Sequence, residues 1–208
     1  MTKKRGILIA IIVFLAAAGL YLALLGNDTK AVREAADRYI KAVRDRNFAV
    51  IYEMNADSQK RKLFIERRSY DLKDSSADKN ELLKQAYSEQ KESFDSTQTA
   101  FDLNDIWSEK FVFIPDMNYR ILNVAMEQDI ENPTAFYVKR INANVEVEVE
   151  YAKKETAPVF EGRSIRKADY LIRMIHSRNI ARVVKDIAVD DRWLFKGIAV
   201  KHGSAVFW

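Results

Sequence analysis

The clearest pattern in the chain is a strict alternation of apolar and polar residues from Ile141 to Tyr151. Successive side chains of a strand point to opposite faces, so six apolar residues would lie on one face and five polar residues on the other. This predicts a half-buried β-strand. Shorter runs predict further strands at Tyr119 to Met126, Ala135 to Arg140, Tyr170 to Ser177, Ala181 to Val189 and Trp193 to Val200. The apolar end, Ala205 to Trp208, would either pair at a sheet edge or pack against a partner.

The part of the chain before these strands has a helical period instead. Apolar residues recur at spacings of three and four at Val32, Ala35, Ala36, Tyr39, Ile40 and Val43. This predicts an amphipathic helix, and Phe48 to Met54 predicts a short second one after a break near Asn47. We expect a short helix with loops from Asn55 to Ser76 and a longer helix from Asp78 to Phe94. Helices followed by strands indicate an α+β domain with the helices on one face of an antiparallel sheet.

The run from Ile7 to Leu25 contains 19 residues and no charge. As a helix it would be about 28 Å long, close to the roughly 30 Å hydrocarbon core of a bilayer. It therefore predicts one transmembrane anchor. Lys3, Lys4 and Arg5 precede it, and the positive-inside rule then keeps the N-terminus in the cytoplasm.

A cleaved signal peptide is the competing interpretation of the same run. Ala16, Ala17 and Ala18 are small residues ahead of Gly19, as a cleavage site requires. Cleavage there would leave an exposed apolar tail, so we favour the uncleaved anchor. The predicted division is a cytoplasmic basic tag at 1–6, the anchor at 7–25 and one periplasmic or extracellular domain at 26–208. The protein would then be a single-pass protein of the cell inner membrane.

Composition limits the partners that the outer domain could have. The 208 residues include 34 Lys plus Arg, 30 Asp plus Glu and no Cys. Without the three basic residues of the tag, 31 basic and 30 acidic residues remain, so bulk charge gives no reason to expect nucleic-acid binding. The absence of Cys excludes disulfides and thiol nucleophiles.

Charge is nevertheless divided along the chain. The net charge is +4 over residues 26–69, −8 over 70–131 and +5 over 132–208. Either the basic regions form patches for anionic lipid or an acidic partner, or the three regions neutralise one another in the fold. The sequence favours neutralisation slightly.

Few residues suggest catalysis or metal binding. His176 lies in a predicted strand and would be a general base only beside an inward-facing Asp. His202 belongs to a turn, and Asp190 and Asp191 are typical of a hairpin turn rather than a cation site. Gly-rich phosphate loops, nucleophile elbows and zinc motifs are absent from the sequence. We therefore expect a non-enzyme without a metal, a cofactor or catalytic residues.

Three segments of the chain together suggest a family. The segment Ala36 to Val43, the residues Asn47, Phe48, Ile51 and Tyr52 after it, and the late turn Asp190 to Leu194 resemble the nuclear-transport-factor-2-like superfamily. The resemblance spans about Thr29 to Val200. It implies a cone of curved antiparallel sheet closed by N-terminal helices. Two features depart from that pattern: a long stretch between Met54 and Tyr119, and the added end from Lys201 to Trp208.

The resemblance also suggests a role. Membrane-anchored members of this fold resemble bitopic assembly subunits of secretion or transport machines. The chain is thus expected to be a non-catalytic binding or scaffold subunit of a cell-envelope complex, in contact with the membrane and with other envelope proteins. The small residues from Ala16 to Gly19 would let two anchors approach closely, so a homo-oligomer is a further expectation. The alternative is a ligand-binding or enzymatic cone that holds a small hydrophobic or lipid-like molecule.

Overall fold

A computed structural model of the chain describes residues 28–71, 76–97, 107–128, 140–160, 162–177 and 192–208. Five helices are present in these ranges. They are α1 over residues 28–44, α2 at Phe48–Met54, α3 at Ala56–Asp71, α4 at Ser76–Ser96 and α5 at Glu109–Val112. Six strands are present as well: β1 at Met117–Gln128, β2 at Arg140–Tyr151, β3 at Val159–Phe160, β4 at Arg163–His176, β5 at Trp193–Val200 and β6 at Val206–Phe207. The predicted α+β class is confirmed.

Helices α1 and α2 form as the apolar spacing predicts. The face of α1 that carries Val32, Tyr39 and Val43 is completely buried. A turn at Asp45 and Arg46 separates the two helices, and the Asn47 side chain then accepts a hydrogen bond from the Val50 amide. Such a cap satisfies one of the amides that every helix start leaves without a partner.

Helix α3 is longer and more regular than predicted. The Asn55 side-chain oxygen accepts from the amides of Asp57 and Ser58, each at 3.0 Å, and so starts the helix. Its buried side includes Ser58 and Gln59, which are polar. An apolar period is therefore weak there, and this explains why the sequence indicates a short helix with loops. Helix α4, which packs against α3, matches the predicted helix from Asp78 to Phe94.

The strands form a curved antiparallel sheet in which β4 is central. Tyr170 of β4 pairs with Val147 of β2 on one side and with Val200 of β5 on the other. Strand β1 extends the sheet beyond β2, and β6 follows β5 along the same edge of β4. The predicted strands at Ile141 to Tyr151 and Trp193 to Val200 are confirmed, and the C-terminal segment pairs at a sheet edge. The short elements α5 and β3 have no counterpart among the sequence predictions.

The inner face of the sheet is filled by side chains. Val145, Val147 and Val149 of β2 are completely buried, as their alternation predicts. The ring of Tyr39 on α1 stacks on that of Phe195 on β5, with centroids 4.1 Å apart. These contacts place helices α1 and α2 and the inner sheet face in one hydrophobic core.

Several predictions lie outside the described residues. These are the anchor from Ile7 to Leu25, the tag residues Lys3, Lys4 and Arg5, the strand at Ala181 to Val189, and the strand at Ala135 to Arg140 except for Arg140, which begins β2. Among the helices in the described ranges, none has the length and hydropathy that crossing a membrane would require.

Candidate functional site

A cleft of about 520 Å³ opens between the α3–α4 pair and strand β5. Its walls come from the start of α3, the middle of α4, the segment that leads into α5, and β5. The lining residues are Asn55, Asp57, Arg61, Glu89, Gln90, Ser93, Trp107, Ser108, Glu109, Phe195, Lys196, Gly197 and Ile198. This size falls within the range of small-molecule sites, which is roughly 300–1,000 Å³.

Helix α5 is held against α4 by polar contacts on both sides of Glu109. The indole Nε1 of Trp107 donates to the Ser93 Oγ at 3.2 Å. The Lys110 ammonium donates to the carbonyls of Asp95 and Thr97 at 3.1 and 2.9 Å, where α4 ends. These bonds fix the backbone on either side of Glu109, which is one of the residues that line the cleft.

Glu109 is a buried acid, with only 3% of its surface exposed. The Tyr39 hydroxyl donates to its Oε1 at 2.8 Å. Burial raises the pKa of Glu109, and the bond from Tyr39 and its own backbone amide offset only part of that effect. Burial, together with the neighbouring carboxyl group, also raises the pKa of Tyr39 well above its usual range. The tyrosine thus keeps its proton at neutral pH and serves as a fixed donor.

Aromatic rings surround the buried part of this site. Trp107 meets Phe94 edge to face, with centroids 5.5 Å apart, and its ring also packs against Phe48 at 5.9 Å. Trp107 has a φ of 70°, in the left-handed region that non-glycine residues rarely adopt. Such backbone strain is costly and persists only where surrounding contacts determine the conformation, as they do here.

The charged residues at the rim of the cleft form two ion pairs. Lys196 Nζ lies 2.7 Å from Asp57 Oδ1 and joins β5 to α3. Arg61 lies 2.5 Å from Glu89 Oε2 and joins α3 to α4. All four side chains remain 45% or more exposed. The pairs therefore contribute little to stability and mainly set the charge of the rim.

Neither of the two histidines is among the described residues that line the cleft. His176 ends β4, and its ring contacts Trp193 edge-on at 5.0 Å. His202 is exposed in the turn after β5. Asp190 and Asp191 lie outside the described residues.

Ion pairs join the regions of opposite charge. Arg61 and Lys153, from the two basic regions, pair with Glu89 and Asp116 of the acidic region. Arg120 of the acidic region pairs with Glu148 at 3.2 Å. Other pairs, such as Lys196 with Asp57, join the two basic regions instead, so neutralisation between the regions stays a prediction. A basic patch for lipid or an acidic partner remains a prediction.

Sequence reasoning missed Glu109 and Tyr39 as site residues. One signal was present, since Glu109 follows Trp107 closely and precedes the apolar run from Phe111 to Ile114. An acid in such surroundings is either exposed at the end of an element or buried with a partner. The partner itself lies 70 positions away and cannot be identified from the local sequence.

Comparisons with known proteins add no family to this description. Neither protein-family models, nor curated proteins, nor solved structures gave a match to the chain. The resemblance to the nuclear-transport-factor-2-like superfamily accordingly stays a prediction. Within the described ranges, no three His, Asp or Glu side chains are grouped as a metal site would require.

Proposed function

We propose that this protein is a membrane-anchored, non-catalytic binding module of a cell-envelope complex, and that the cleft beside β5 is its binding site. The anchor would be the uncharged run from Ile7 to Leu25, with Lys3, Lys4 and Arg5 on the cytoplasmic side. Tethering would restrict the domain to the membrane surface and raise its effective concentration near neighbouring proteins.

The observation that carries the proposal is the filled inner face of the sheet beside an open cleft whose walls are partly charged and partly apolar. The stacked rings of Tyr39 and Phe195 belong to the hydrophobic core that fills the inner face of the sheet. The opening of about 520 Å³ lies next to them, between α3–α4 and β5. A molecule or a partner's side chain would therefore bind in this cleft.

The state of the ionisable groups supports binding rather than catalysis. Asp57 and Glu89 are held by Lys196 and Arg61. The pKa of Tyr39 is raised well above its usual range by burial, so this residue is a poor proton donor to a substrate at neutral pH. Groups held in this way are suited to recognise a charge or a shape.

A second candidate function has one observation in its favour. Trp107, Phe195 and Ile198 form an apolar part of the cleft wall. A small hydrophobic or lipid-like molecule could contact these three side chains. The buried carboxyl of Glu109, whose pKa is raised by burial, would in that case be the group to test as a general acid.

The test compares two tryptophan substitutions on α4. Ser93→Trp would fill the cleft, while Ser88→Trp changes another exposed serine of α4 that does not line it. The full chain is purified from its own membranes in mild detergent and analysed by native mass spectrometry. We expect the wild type and S88W to retain a bound molecule or partner that S93W loses.

Each other outcome has a definite meaning. A partner or molecule that S93W retains would place binding elsewhere on the domain. A chain that emerges alone in every form would contradict the proposal. A retained small hydrophobic molecule, lost from S93W, would favour the second candidate over a complex subunit.

A further inference from the structure

When Glu109 is ionised, the charges that line the cleft do not balance. Of its five ionisable side chains, Asp57 pairs with Lys196 and Glu89 pairs with Arg61. Among the cleft residues that the structure describes, Glu109 is the acid left without a cationic partner. A ligand that supplies a positive charge would complete the site.

The surroundings of Glu109 also suit a cation with an apolar body. Trp107 and Phe195 line the cleft together with Glu109. Aromatic rings attract ammonium groups through their negative faces, and a buried carboxylate gains more from a charge partner than an exposed one does. An anionic ligand would instead have to displace Asp57 or Glu89 from the basic residues that hold them.

We propose that the cleft binds the protonated amine of a small organic molecule, with the Glu109 carboxylate as its counter-ion and with Trp107 and Phe195 as its apolar walls. This inference rests on the proposed function, which makes the cleft the binding site. The Tyr39 hydroxyl stays on Oε1 and orients the carboxylate. Arg61 and Lys196 stay paired at the rim.

Binding of a cation should release a proton from Glu109. Burial raises the pKa of this group and so favours its protonated form in the empty cleft. An ammonium ion at contact distance favours the ionised form and lowers that pKa again. The other charged or titratable groups that face Glu109 across the cleft or bond to it are Tyr39 on α1, Asp57 and Arg61 on α3, Glu89 on α4 and Lys196 on β5.

Three probes that share a phenyl ring and differ in charge test the proposal. They are phenethylamine, 2-phenylethanol and 3-phenylpropionate, each titrated at pH 7 into the full chain in a non-ionic detergent, with empty micelles as the blank. We expect the amine to bind about tenfold more tightly than the alcohol, because its bond to Glu109 is charge-assisted. The carboxylate probe should bind most weakly. These comparisons use the wild type alone and do not depend on the folding of any variant.

A substitution then assigns the preference to one residue. Glu109→Gln keeps an acceptor for Tyr39 but removes the charge, so the amine should lose its advantage over the alcohol. Glu92→Gln, at an exposed position of α4 that does not line the cleft, is the matched control and should keep it. Titration of the wild type in two buffers of different ionisation enthalpy should show proton release with the amine, and none with the alcohol.

The outcomes separate this inference from the proposed function. If the alcohol binds as tightly as the amine, or if E109Q keeps the preference, the cleft is a binding site but not an ammonium site. If 3-phenylpropionate binds best, Arg61 or Lys196 carries the recognition and the inference is wrong. If none of the probes binds at millimolar concentration, the inference also fails. If, in addition, the wild type retains no molecule or partner that S93W loses, the proposed function is wrong as well.

Discussion

The hydroxyl of Tyr39 donates to Glu109 Oε1 at 2.8 Å and joins the first helix to α5 across 70 positions of the chain. Tyr39 is fully buried, and Glu109 is 3% exposed. Tyr39→Phe would keep the ring that stacks on Phe195 but would leave the buried carboxyl without its donor. We expect a loss of about 1–3 kcal/mol in the free energy of unfolding, measured by urea titration at pH 7.

Tyr119→Phe is the control for this change. Its hydroxyl donates to Asp37 Oδ1 at 2.7 Å, but in a half-buried position where Lys41 also reaches Asp37. Water and Lys41 can replace the lost donor, so the loss should be smaller than for Tyr39→Phe. Equal losses would mean that the Tyr39–Glu109 hydrogen bond contributes no more to stability than the half-buried Tyr119–Asp37 bond does.

Glu109→Gln should change how stability depends on pH. The usual pKa of a glutamate is 4.5, and burial raises it in the folded chain. The folded chain therefore holds the proton of Glu109 more tightly than the unfolded chain does. The wild type should lose stability as the pH rises from 4.5, the unfolded pKa, through the higher pKa of the folded chain. Gln cannot ionise, so the melting temperature of E109Q relative to the wild type should increase between pH 4 and pH 8.

The other titrating groups are common to both proteins, so the difference between the two melting curves isolates Glu109. Glu92→Gln, at an exposed position of α4 outside the cleft, is the matched control for the loss of one glutamate. If the melting temperature of E109Q instead falls relative to that of the wild type as the pH rises, a positive charge already stabilises the Glu109 carboxylate in the folded chain.

The hydroxyls of Tyr151 and Tyr170 lie 2.9 Å apart between β2 and β4 and are buried. Replacing either residue by Phe leaves the other buried hydroxyl without this partner. Replacing both residues removes both hydroxyls, so neither is left unpaired by the change. Each single change should cost about 1–3 kcal/mol, and the double change should cost less than the sum of the two. A double-mutant cycle of urea unfolding measures this difference. Additive losses would show that each hydroxyl finds another partner.

Arg192 links the start of β5 to the helices. Its guanidinium donates to Gln59 Oε1 at 2.9 Å and to Glu53 Oε2 at 3.2 Å. Arg192→Met would leave the buried amide of Gln59 without this donor, with an expected loss of about 1–3 kcal/mol. Lys196→Met, which breaks only the exposed pair with Asp57, should have a smaller effect in the same urea titration. Equal losses for the two variants would show that the contacts of Arg192 contribute no more to stability than the exposed Lys196–Asp57 pair does.

Much of the fold was predictable because one side of each element faces a single core. Val145, Val147 and Val149 lie on that side of β2, and Val32 and Tyr39 on that side of α1, so the two periods are visible in the sequence. The full length of α3 was not predictable. Its buried Ser58 and Gln59 are satisfied by Gln90 of α4 and by the Tyr52 carbonyl, and such contacts leave no apolar period.

The cleft was not predictable for a different reason. It lies between β5 and the α3–α4 pair, which are separate in the sequence. The buried acid that lines it, Glu109, accepts a hydrogen bond from Tyr39, which is 70 positions away. The local sequence shows only that Glu109 lies between aromatic residues. Which acids are paired, and which one remains without a cation, depends on contacts such as Lys196 with Asp57 that only the folded chain creates.

The predicted anchor requires a test in membranes. If Ile7 to Leu25 crosses the bilayer, the full chain should stay with the membrane after extraction at alkaline pH. Replacing Ile12 and Leu15 by Lys should release it, because each Lys near the centre of a span disfavours insertion by about 2.5–3.5 kcal/mol. As a control, Phe64→Lys and Leu82→Lys change exposed apolar residues of helices α3 and α4 and should leave retention unchanged.

The same membranes also distinguish the anchor from a signal peptide and reveal its direction. The intact mass of the extracted chain should include residues 1–18, whereas a chain that begins at Gly19 would establish cleavage. Protease added to the cytoplasmic side of sealed vesicles should leave the domain beyond residue 26 intact. Replacing Lys3, Lys4 and Arg5 by Glu would remove the charges that are predicted to hold the N-terminus inside, so the fraction of protected domain should fall. An unchanged fraction would mean that these residues do not set the orientation.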